Sequence, residues 1–378
     1  MDKIKRYIDC VVPISACNLR CHYCYITHNR LFDTKVLPFP KTAKEIRKAF
    51  SKERWEGTCL INLCAGGETL LSQETVDLAK ELLEEGHYVM IVTNGTISKS
   101  FFQISELPQE LLKHLFIKFS FQYLELVRLN ILDRFFENVS LMKKHGVSFT
   151  IEITPSDELV PHIDDVIKIC KEKAGAVCHV SIARDETDKD FPVLSKYSYE
   201  EYKKIWSVFD SNLFKFKSEI FYKKRKEFCY AGAWSFFVHL DSGDVYQCGY
   251  HKNIGNIYKD VSMPIKYCAV GNNCKVAHCF NGHSFLALGA IPELNTPTYT
   301  QLRNRVCIDG SEWLTEDVKY LFSSKLCESN EEYSAKQKRK INREGKENVS
   351  LSIKVKAAVK NALPESIVQK YDSIKQKQ

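Results

Sequence analysis

Residues 7–24 read YIDCVVPISACNLRCHYC, and this stretch decides the fold. Its first part, residues 7–13, is a run of aromatic, β-branched and apolar residues that predicts a β-strand ending at a proline. Three cysteines follow in a CxxxCxxC spacing, at Cys17, Cys21 and Cys24. A strand followed by a tight loop of thiols predicts a metal site at the end of the first strand.

The cysteine loop is compatible with two kinds of metal site. Three thiolates on one loop can hold three irons of a four-iron cluster and leave the fourth iron open to a small molecule. A structural zinc ion would need a fourth protein ligand, which His22 or a distant cysteine would provide. The spacing favours the iron–sulfur cluster and leaves zinc as the alternative.

Strand and helix patterns alternate outward from the loop to about residue 185. Helical patterns at Ser72–Glu85 and at 132–142 place apolar residues on one face, and Gly86 and Gly146 follow as stops. Apolar strands joined by helices predict an α/β fold with a parallel sheet, curled into an open or closed barrel with its chemistry at the C-terminal ends of the strands. The six predicted strands are Tyr7–Pro13, Cys59–Leu63, Tyr88–Val92, Leu115–Phe121, Val147–Ile153 and Ala176–Ile182.

Composition narrows the functional class. The chain has 378 residues, of which 44% are hydrophobic and 27% charged, which excludes a disordered or fibrous protein. No apolar run is long enough to span a bilayer and the first residues lack a secretory signal, so we expect a cytoplasmic protein. Cytosolic thiols stay reduced, and fifteen cysteines therefore predict metal ligation rather than disulfides.

The net charge of +7 belongs to the C-terminal segment. Residues 335–378 hold 12 Lys and Arg against 4 Asp and Glu, which leaves the rest of the chain close to neutral. A neutral body argues against a nucleic-acid groove. The segment has helical apolar periodicity, which predicts a basic amphipathic tail that contacts an anionic membrane surface or an acidic partner. A solvated terminus is the alternative.

The CxxxCxxC loop, with an aromatic at Tyr23, resembles the signature of the radical S-adenosylmethionine (SAM) superfamily. The resemblance implies a partial (βα)6 TIM-like barrel whose loop holds a SAM-binding [4Fe–4S] cluster. It also implies that a low-potential donor such as flavodoxin or ferredoxin supplies one electron. SAM is then cleaved to methionine and a 5′-deoxyadenosyl radical, which abstracts hydrogen from substrate.

Further motifs occur in the order that the same resemblance implies. Gly66-Gly67-Glu68 follows the second strand, like the family's GGE turn near the SAM amino group, and Thr93-Asn94-Gly95 follows the third strand, like its TNG turn. Each turn alone is also an ordinary strand-to-helix connection. The resemblance implies the SAM contacts Tyr23, Gly66, Gly67, Glu68, Thr93 and Asn94, with Ser120 and Glu152 as weaker ones.

A second group of cysteines lies in the C-terminal half. Cys229 and Cys248 flank a predicted hairpin at Trp234–Leu240 and Val245–Gln247, and the spacing resembles the opening of SPASM and twitch domains. The CxxC pair of a full SPASM domain is absent, so the resemblance implies one auxiliary [4Fe–4S] cluster. Zinc bound by four thiolates is the alternative. The preferred ligands are Cys229, Cys248, Cys274 and Cys279, with Cys268 as the alternate; other cysteines, such as Cys64 and Cys327, are expected to be packed thiols.

The expected domains are a barrel with bridging helices at 1–225, a cysteine-rich α+β auxiliary-cluster domain at 226–330 and the tail at 331–378. The sequence does not determine the catalytic residues, although His278 and His283 are candidates. The residues expected to line the substrate pocket are Tyr123, His179, Arg184 and Asp185.

The resemblance leaves the substrate open between two types. The auxiliary cluster would accept an electron from substrate or position it, and single-cluster relatives favour a small polar or carbohydrate-type substrate. A peptide or protein maturase is the alternative, although the first cysteine at Cys17 leaves no room before the barrel for a peptide-binding extension. A zinc-binding adaptor without catalysis is the alternative of another class.

Overall fold

The computed structural model describes residues 3–28, 33–249 and 251–345. Nine strands form its sheet: β1 (Arg6–Val12), β2 (Cys59–Ala65), β3 (Tyr88–Thr93), β4 (Leu115–Phe121), β5 (Ser148–Ile153), β6 (His179–Val180), β7 (Ser235–His239), β8 (Asp244–Tyr246) and β9 (Asn253–Asn256). The α-helices are α1 (Tyr25–His28), α2 (Ala43–Ala49), α3 (Gln73–Glu84), α4 (Ser98–Ser105), α5 (Gln109–Leu112), α6 (Tyr123–Arg128), α7 (Leu132–Lys144), α8 (Ile163–Ala174), α9 (Tyr199–Trp206), α10 (Asn212–Ile220), α11 (Gly282–Phe285), α12 (Tyr299–Arg303) and α13 (Glu316–Ser323). Residues 335–345 are also helical.

The sheet is open and mostly parallel. Its strand order is β6-β5-β4-β3-β2-β1-β7-β8-β9, with parallel pairing from β6 through β7 and antiparallel pairing from β7 to β9. Helices connect the parallel strands along the chain. The predicted α/β fold with a partial, unclosed barrel is therefore confirmed.

The helix predicted from residue 72 is present, whereas the sixth predicted strand is shorter than expected for a physical reason. The helix predicted from residue 72 is α3, capped by the Ser72 hydroxyl and followed by Gly86 at a φ of 88°. The sixth strand, expected over 176–182, is only His179–Val180. Arg305 and Ile308 donate to the carbonyls of Cys178 and Gly175. The backbone before β6 therefore bonds to residues 305–308 instead of pairing with β5.

The two faces of the sheet differ in chemistry. Alternate residues such as Ile8 and Ile61 join one large apolar core that includes the covering helices. The residues between them form the inner face of the sheet. At the N-terminal ends of the strands this face is apolar, and Tyr7 and Leu60 there pack against buried residues of the range 285–326. At its C-terminal end the inner face is polar and holds Asp9, Asn62, Lys118 and Glu152.

The cysteine-flanked hairpin is present but does not form a separate sheet. Strands β7 and β8 pair through Phe237–Tyr246 and Val238–Val245, and β7 pairs in parallel with β1. The expected small domain from residue 226 therefore begins with strands that extend the barrel sheet and cover the edge of β1, which would otherwise be unpaired. The boundaries at 225 and 330 remain a prediction.

The predicted tail falls mainly outside the described residues. Residues 335–345 are helical, and the remaining tail, 346–378, lies outside the described part. None of the helices within the described ranges is long and apolar enough to cross a membrane.

Candidate active site

The structure places Cys17, Cys21 and Cys24 on the loop after β1, against one cavity of about 380 Å³. Glu125 of α6 holds the loop through its carboxylate, which accepts from the backbone N–H of Arg20 at 2.8 Å. This volume lies within the range of about 300–1,000 Å³ that small-molecule sites occupy.

The three thiols influence one another electrostatically. Burial raises the pKa of Cys21 to about 12, and the neighbouring Cys24 and Cys17 raise it further. Burial is also the main cause of the raised pKa of Cys17. Thiols in such surroundings stay protonated unless a cation compensates their charge, and metal ions do this when they bind thiolates. The donor set therefore fits an iron–sulfur cluster.

The Gly66-Gly67-Glu68 turn packs against the backbone that leads into the cysteine loop. Gly67 N donates to Ile14 O, and Glu68 N donates to Ala16 O, both at 2.8 Å. A Cβ atom added at Gly67 would lie 1.9 Å from Ala16 O. Glycine is required here because two backbones approach each other, a reason that the sequence did not reveal.

The carboxylate of Glu68 joins this turn to the turn after β3. It accepts from Thr93 Oγ1 at 2.5 Å, from Asn94 N at 2.7 Å and from Leu70 N at 2.9 Å. Burial raises the pKa of Glu68, and these hydrogen bonds oppose that rise. The side chain of Glu68 is thus satisfied by the protein itself.

The turn after β3 is connected in the same way to the cysteine loop. Asn94 Nδ2 donates to Asn18 Oδ1 at 2.8 Å, and Asn18 Nδ2 donates to Thr96 Oγ1 at 2.8 Å. Asn94 Nδ2 also lies 4.0 Å from the sulfur of Cys17. The loop and both turns therefore form one hydrogen-bonded unit around the cavity.

The predicted SAM contacts divide into two groups. Tyr23 and Ser120 line the cavity, and Tyr23 donates its hydroxyl proton to Gln122. Glu152 is not among the residues that line it, and its carboxylate pairs with Lys118 Nζ at 3.2 Å and with the guanidinium of Arg303. The residues lining the cavity include Cys17, Cys21, Tyr23, Cys24, Cys64, Gly66, Gly67, Glu68, Thr93, Asn94, Lys118, Ser120, Gln122 and Arg184.

The polar residues of the inner face were not predicted from the sequence. Lys118 interrupts the apolar strand LFIKFSF, and Asp9 and Asn62 interrupt two others. Asn62 Nδ2 donates to Asp9 Oδ1 at 2.6 Å, and Asn281 Nδ2 donates to Asp9 Oδ2 at 3.3 Å. A charge inside an otherwise apolar strand was the signal that would have indicated a barrel interior.

The four other pocket candidates have different positions. Arg184 lines the cavity, as predicted. His179 is buried against Trp313 and its Nδ1 pairs with Ser211, so it braces the core. Tyr123 packs edge-on against Phe121, and Asp185 caps the turn at Thr187.

Four of the C-terminal cysteines surround a second cavity. Cys229, Cys248, Cys274 and Cys279 all line it, together with apolar residues. The pKa of Cys279 is raised well above its ordinary value by burial first and then by those three thiols. No group of three or more His, Cys, Asp or Glu in the described ranges is arranged as a single metal ion requires. The four thiols nevertheless share one cavity.

The remaining cysteines occupy other positions. Cys268 is not among the lining residues of the second cavity, and its sulfur accepts from Gln247 Nε2 at 3.7 Å. Of the cysteines expected to be packed, Cys64 lies on the wall of the first cavity and Cys327 is half-buried. The other five are buried: Cys10, Cys59, Cys170, Cys178 and Cys307.

Neither of the two candidate catalytic histidines is among the residues that line the two cavities. His278 is 1% exposed, its ring packs on Phe221 with a centroid distance of 4.0 Å, and neither ring nitrogen has a hydrogen-bond partner among the described residues. Burial lowers the pKa of His278 to about 4. Burial, with the charges of Lys217 and Lys118, lowers the pKa of His283 as well.

Comparison with known proteins finds similarity in the N-terminal part of the chain. Residues 11–167 match the model of the radical SAM superfamily, a superfamily of enzymes, and they contain the cysteine loop and both turns. This part of the chain, less than half of its length, is therefore similar to the radical SAM superfamily. It is also similar to 7-carboxy-7-deazaguanine synthase of Thermoplasma acidophilum, 30% identical over 95 residues, which cover 25% of this chain and 41% of that protein. The match thus spans about two fifths of the curated relative.

Solved structures resemble the chain more loosely. SuiB of Streptococcus suis, bound to S-adenosylmethionine, is 14% identical with a TM-score of 0.49, covering 68% of this chain and 64% of SuiB. The protein anSMEcpe with bound AdoMet is 17% identical with a TM-score of 0.46, covering 68% and 79%. The chain spans just under two thirds of SuiB.

Proposed function

We propose that this protein is a radical SAM enzyme that abstracts a hydrogen atom from a small polar substrate. Cys17, Cys21 and Cys24 would hold a [4Fe–4S] cluster, and the adjoining cavity would hold SAM. The single observation that supports this most strongly is the hydrogen-bonded unit that connects the cysteine loop to the turns at Gly67 and Asn94. When bound, the cluster and SAM supply one-electron cleavage of the sulfonium and hydrogen-atom abstraction.

The chain's own residues would position SAM. The backbone at Gly66 and Gly67 and the turn at Thr93–Asn94 line the cavity beside the thiols, so they are suited to bind the polar end of SAM. Tyr23 and Ser120 line the same cavity and would contact the rest of SAM. Glu68 would act by fixing the two turns, because its carboxylate already accepts three protein hydrogen bonds.

We also propose one auxiliary [4Fe–4S] cluster, held by Cys229, Cys248, Cys274 and Cys279. The shared cavity of these four thiols supports the proposal. Four thiolates are enough to ligate all four irons, so this cluster would transfer electrons or stabilise the fold rather than bind SAM. Cys268 remains the alternate ligand, and the preference for the other four is supported by its absence from the residues that line the cavity.

The proposal is tested by purifying the protein without oxygen and measuring iron, sulfide and 5′-deoxyadenosine after addition of SAM and dithionite. We expect about eight irons per chain, the content of two four-iron clusters, and formation of 5′-deoxyadenosine. Cys21→Ala should abolish its formation. The half-buried thiol of Cys327 is the matched control, and Cys327→Ala should retain both iron and activity.

The auxiliary cluster is tested by iron content. Cys229→Ala should lose about half of the iron while Cys268→Ala keeps it all. A colourless protein that binds zinc at both cysteine groups would contradict the proposal and would support a zinc-binding adaptor.

A further inference from the structure

Basic side chains converge on the inner end of the cavity. Lys118 of β4 and Arg184, which follows β6, line the cavity. Lys217 of α10 reaches the segment that leads to Arg184, because its Nζ donates to the hydroxyl of Ser181 at 2.8 Å. Burial lowers the pKa of Lys217, and the charges of Lys118 and Arg184 lower it further. The charges of Lys217, Lys118 and Arg184 likewise lower the pKa of His283, again after burial. One strand, the segment after β6 and one helix thus contribute the three basic residues.

Most of these charges have a carboxylate partner, but Lys217 has none among the described residues. Glu152 pairs with Lys118 at 3.2 Å, and Glu186 pairs with Arg184 at 2.7 Å. Lys217 is 8% exposed, and its Nζ donates only to the hydroxyl of Ser181, at 2.8 Å. An ammonium that is buried without a counter-charge is costly.

Folding alone does not explain Lys217. The other buried residues of α10, such as Phe214 and Ile220, are apolar, and an apolar residue would stabilise the same position better than a charge. Charges that lower stability are typical of functional sites. The position therefore indicates a ligand that supplies the missing negative charge.

We propose that Lys118, Lys217 and Arg184 bind an anionic group of the substrate, a carboxylate or a phosphate. This inference rests on the proposed function, since it assigns the substrate class of the same site. Two ammonium groups and one guanidinium are suited to bind such an anion, because hydrogen bonds between charged partners are stronger than those between neutral ones.

The carboxylate of SAM is the other anion that this site would accept, and position argues against it. The turns at Gly66 and Asn94, with the cysteine loop, lie at the C-terminal end of the strands. Lys118 precedes Ser120 by two residues on β4, which places it about 7 Å deeper. Lys217 comes from α10, which packs beside β6 and not beside the strands that precede these two turns.

The inference is tested with inorganic phosphate as the probe, on the iron-loaded protein in the presence of SAM. We expect saturable phosphate binding by calorimetry, weakened at least about tenfold in Lys217→Met and in Arg184→Gln. Lys215→Met is the matched control, because Lys215 lies on the same helix but is exposed and pairs with Asp210, and it should bind phosphate normally.

Thermal unfolding distinguishes a binding role from a structural one. Lys217→Met should raise the melting temperature of the phosphate-free protein, because it removes an unpaired buried charge. The affinity for SAM, measured on the same variants, should stay within about twofold, which is below 0.5 kcal/mol. Iron content and circular dichroism report whether each variant is folded.

Three results would overturn the inference. They are no saturable phosphate binding to the unchanged protein, equal phosphate affinity in Lys217→Met, and a large loss of SAM affinity in the variants with phosphate binding unaffected. The last result would assign the site to the SAM carboxylate. Phosphate binding does not require SAM cleavage. Failure of the proposed function would appear as absence of 5′-deoxyadenosine, whereas failure of this inference would appear in the phosphate titration.

Discussion

The two cysteine groups differ in what surrounds them. The N-terminal loop presents three thiols to a cavity whose walls include both polar and apolar residues, and a hydrogen-bond network from Asn18 and Asn94 reaches its edge. The C-terminal group presents four thiols to a cavity with mainly apolar walls, including Val270, Phe285 and Ile291. Three cysteine ligands beside polar groups leave one iron of a four-iron cluster free to bind a small molecule and catalyse its reaction. Four cysteine ligands in apolar surroundings are suited to a cluster in which every iron has a protein ligand.

The largest expected effect concerns the contact that only the first group has. Gly67→Ala should force the turn away from Ala16 O, because its Cβ would lie 1.9 Å from that oxygen. A displacement of about 1 Å can reduce a rate about 100-fold, and we expect at least that loss in formation of 5′-deoxyadenosine. Iron at the second group should remain, so total iron should fall by no more than about half.

A glycine elsewhere serves as the control for this change. Gly255 of β9 has no atom within 4 Å of an added Cβ, and Gly255→Ala should leave both iron and activity unchanged. Full activity in Gly67→Ala would contradict this prediction, because it would show that the close packing of Gly67 against Ala16 is not needed for formation of 5′-deoxyadenosine.

An intermediate effect is expected at the carboxylate that joins the two turns. Glu68→Gln replaces one acceptor with a donor facing the N–H of Asn94 or the hydroxyl of Thr93. Loss of one such buried hydrogen bond costs about 1–3 kcal/mol, so the Kd for SAM should rise about tenfold while iron content stays the same. Glu158→Gln, at an exposed carboxylate that pairs with His22, is the control.

The motif residues were predictable because each motif is continuous in the sequence. The three thiols, Gly67 and Asn94 lie in short patterns at the ends of strands, and the structure brings them to one cavity. Contacts between distant parts of the chain could not be predicted. Arg303 reaches Glu152 across 151 residues, and β7 pairs with β1, although nothing in either local sequence specifies its partner.

The smallest expected effect on activity concerns Asp9, whose charge is expected to affect stability. Asp9 contacts Asn281, which lines the second cavity, and burial raises the pKa of Asp9 to about 6, opposed by Asn62 and Lys118. Because the folded state favours protonated Asp9, stability should fall as pH rises from about 4 to about 6 and then level off.

Asp9→Asn removes this pH-dependent cost. A rise of the pKa from 3.8 to about 6 corresponds to about 3 kcal/mol, so the variant should gain up to that stability over the unchanged protein above pH 7 and little below pH 4. Denaturant unfolding at several pH values measures the difference. A constant difference at all pH values would show that Asp9 does not titrate in this range.

The central claim is that the N-terminal thiols hold a cluster with one open iron, whereas the second group holds a closed one. Electron paramagnetic resonance of the dithionite-reduced Cys229→Ala, Cys274→Ala double variant tests it most directly, since only the first cluster would remain. Addition of SAM should change the spectrum. A reduced cluster whose spectrum does not respond to SAM, or the absence of any iron signal, would contradict the claim.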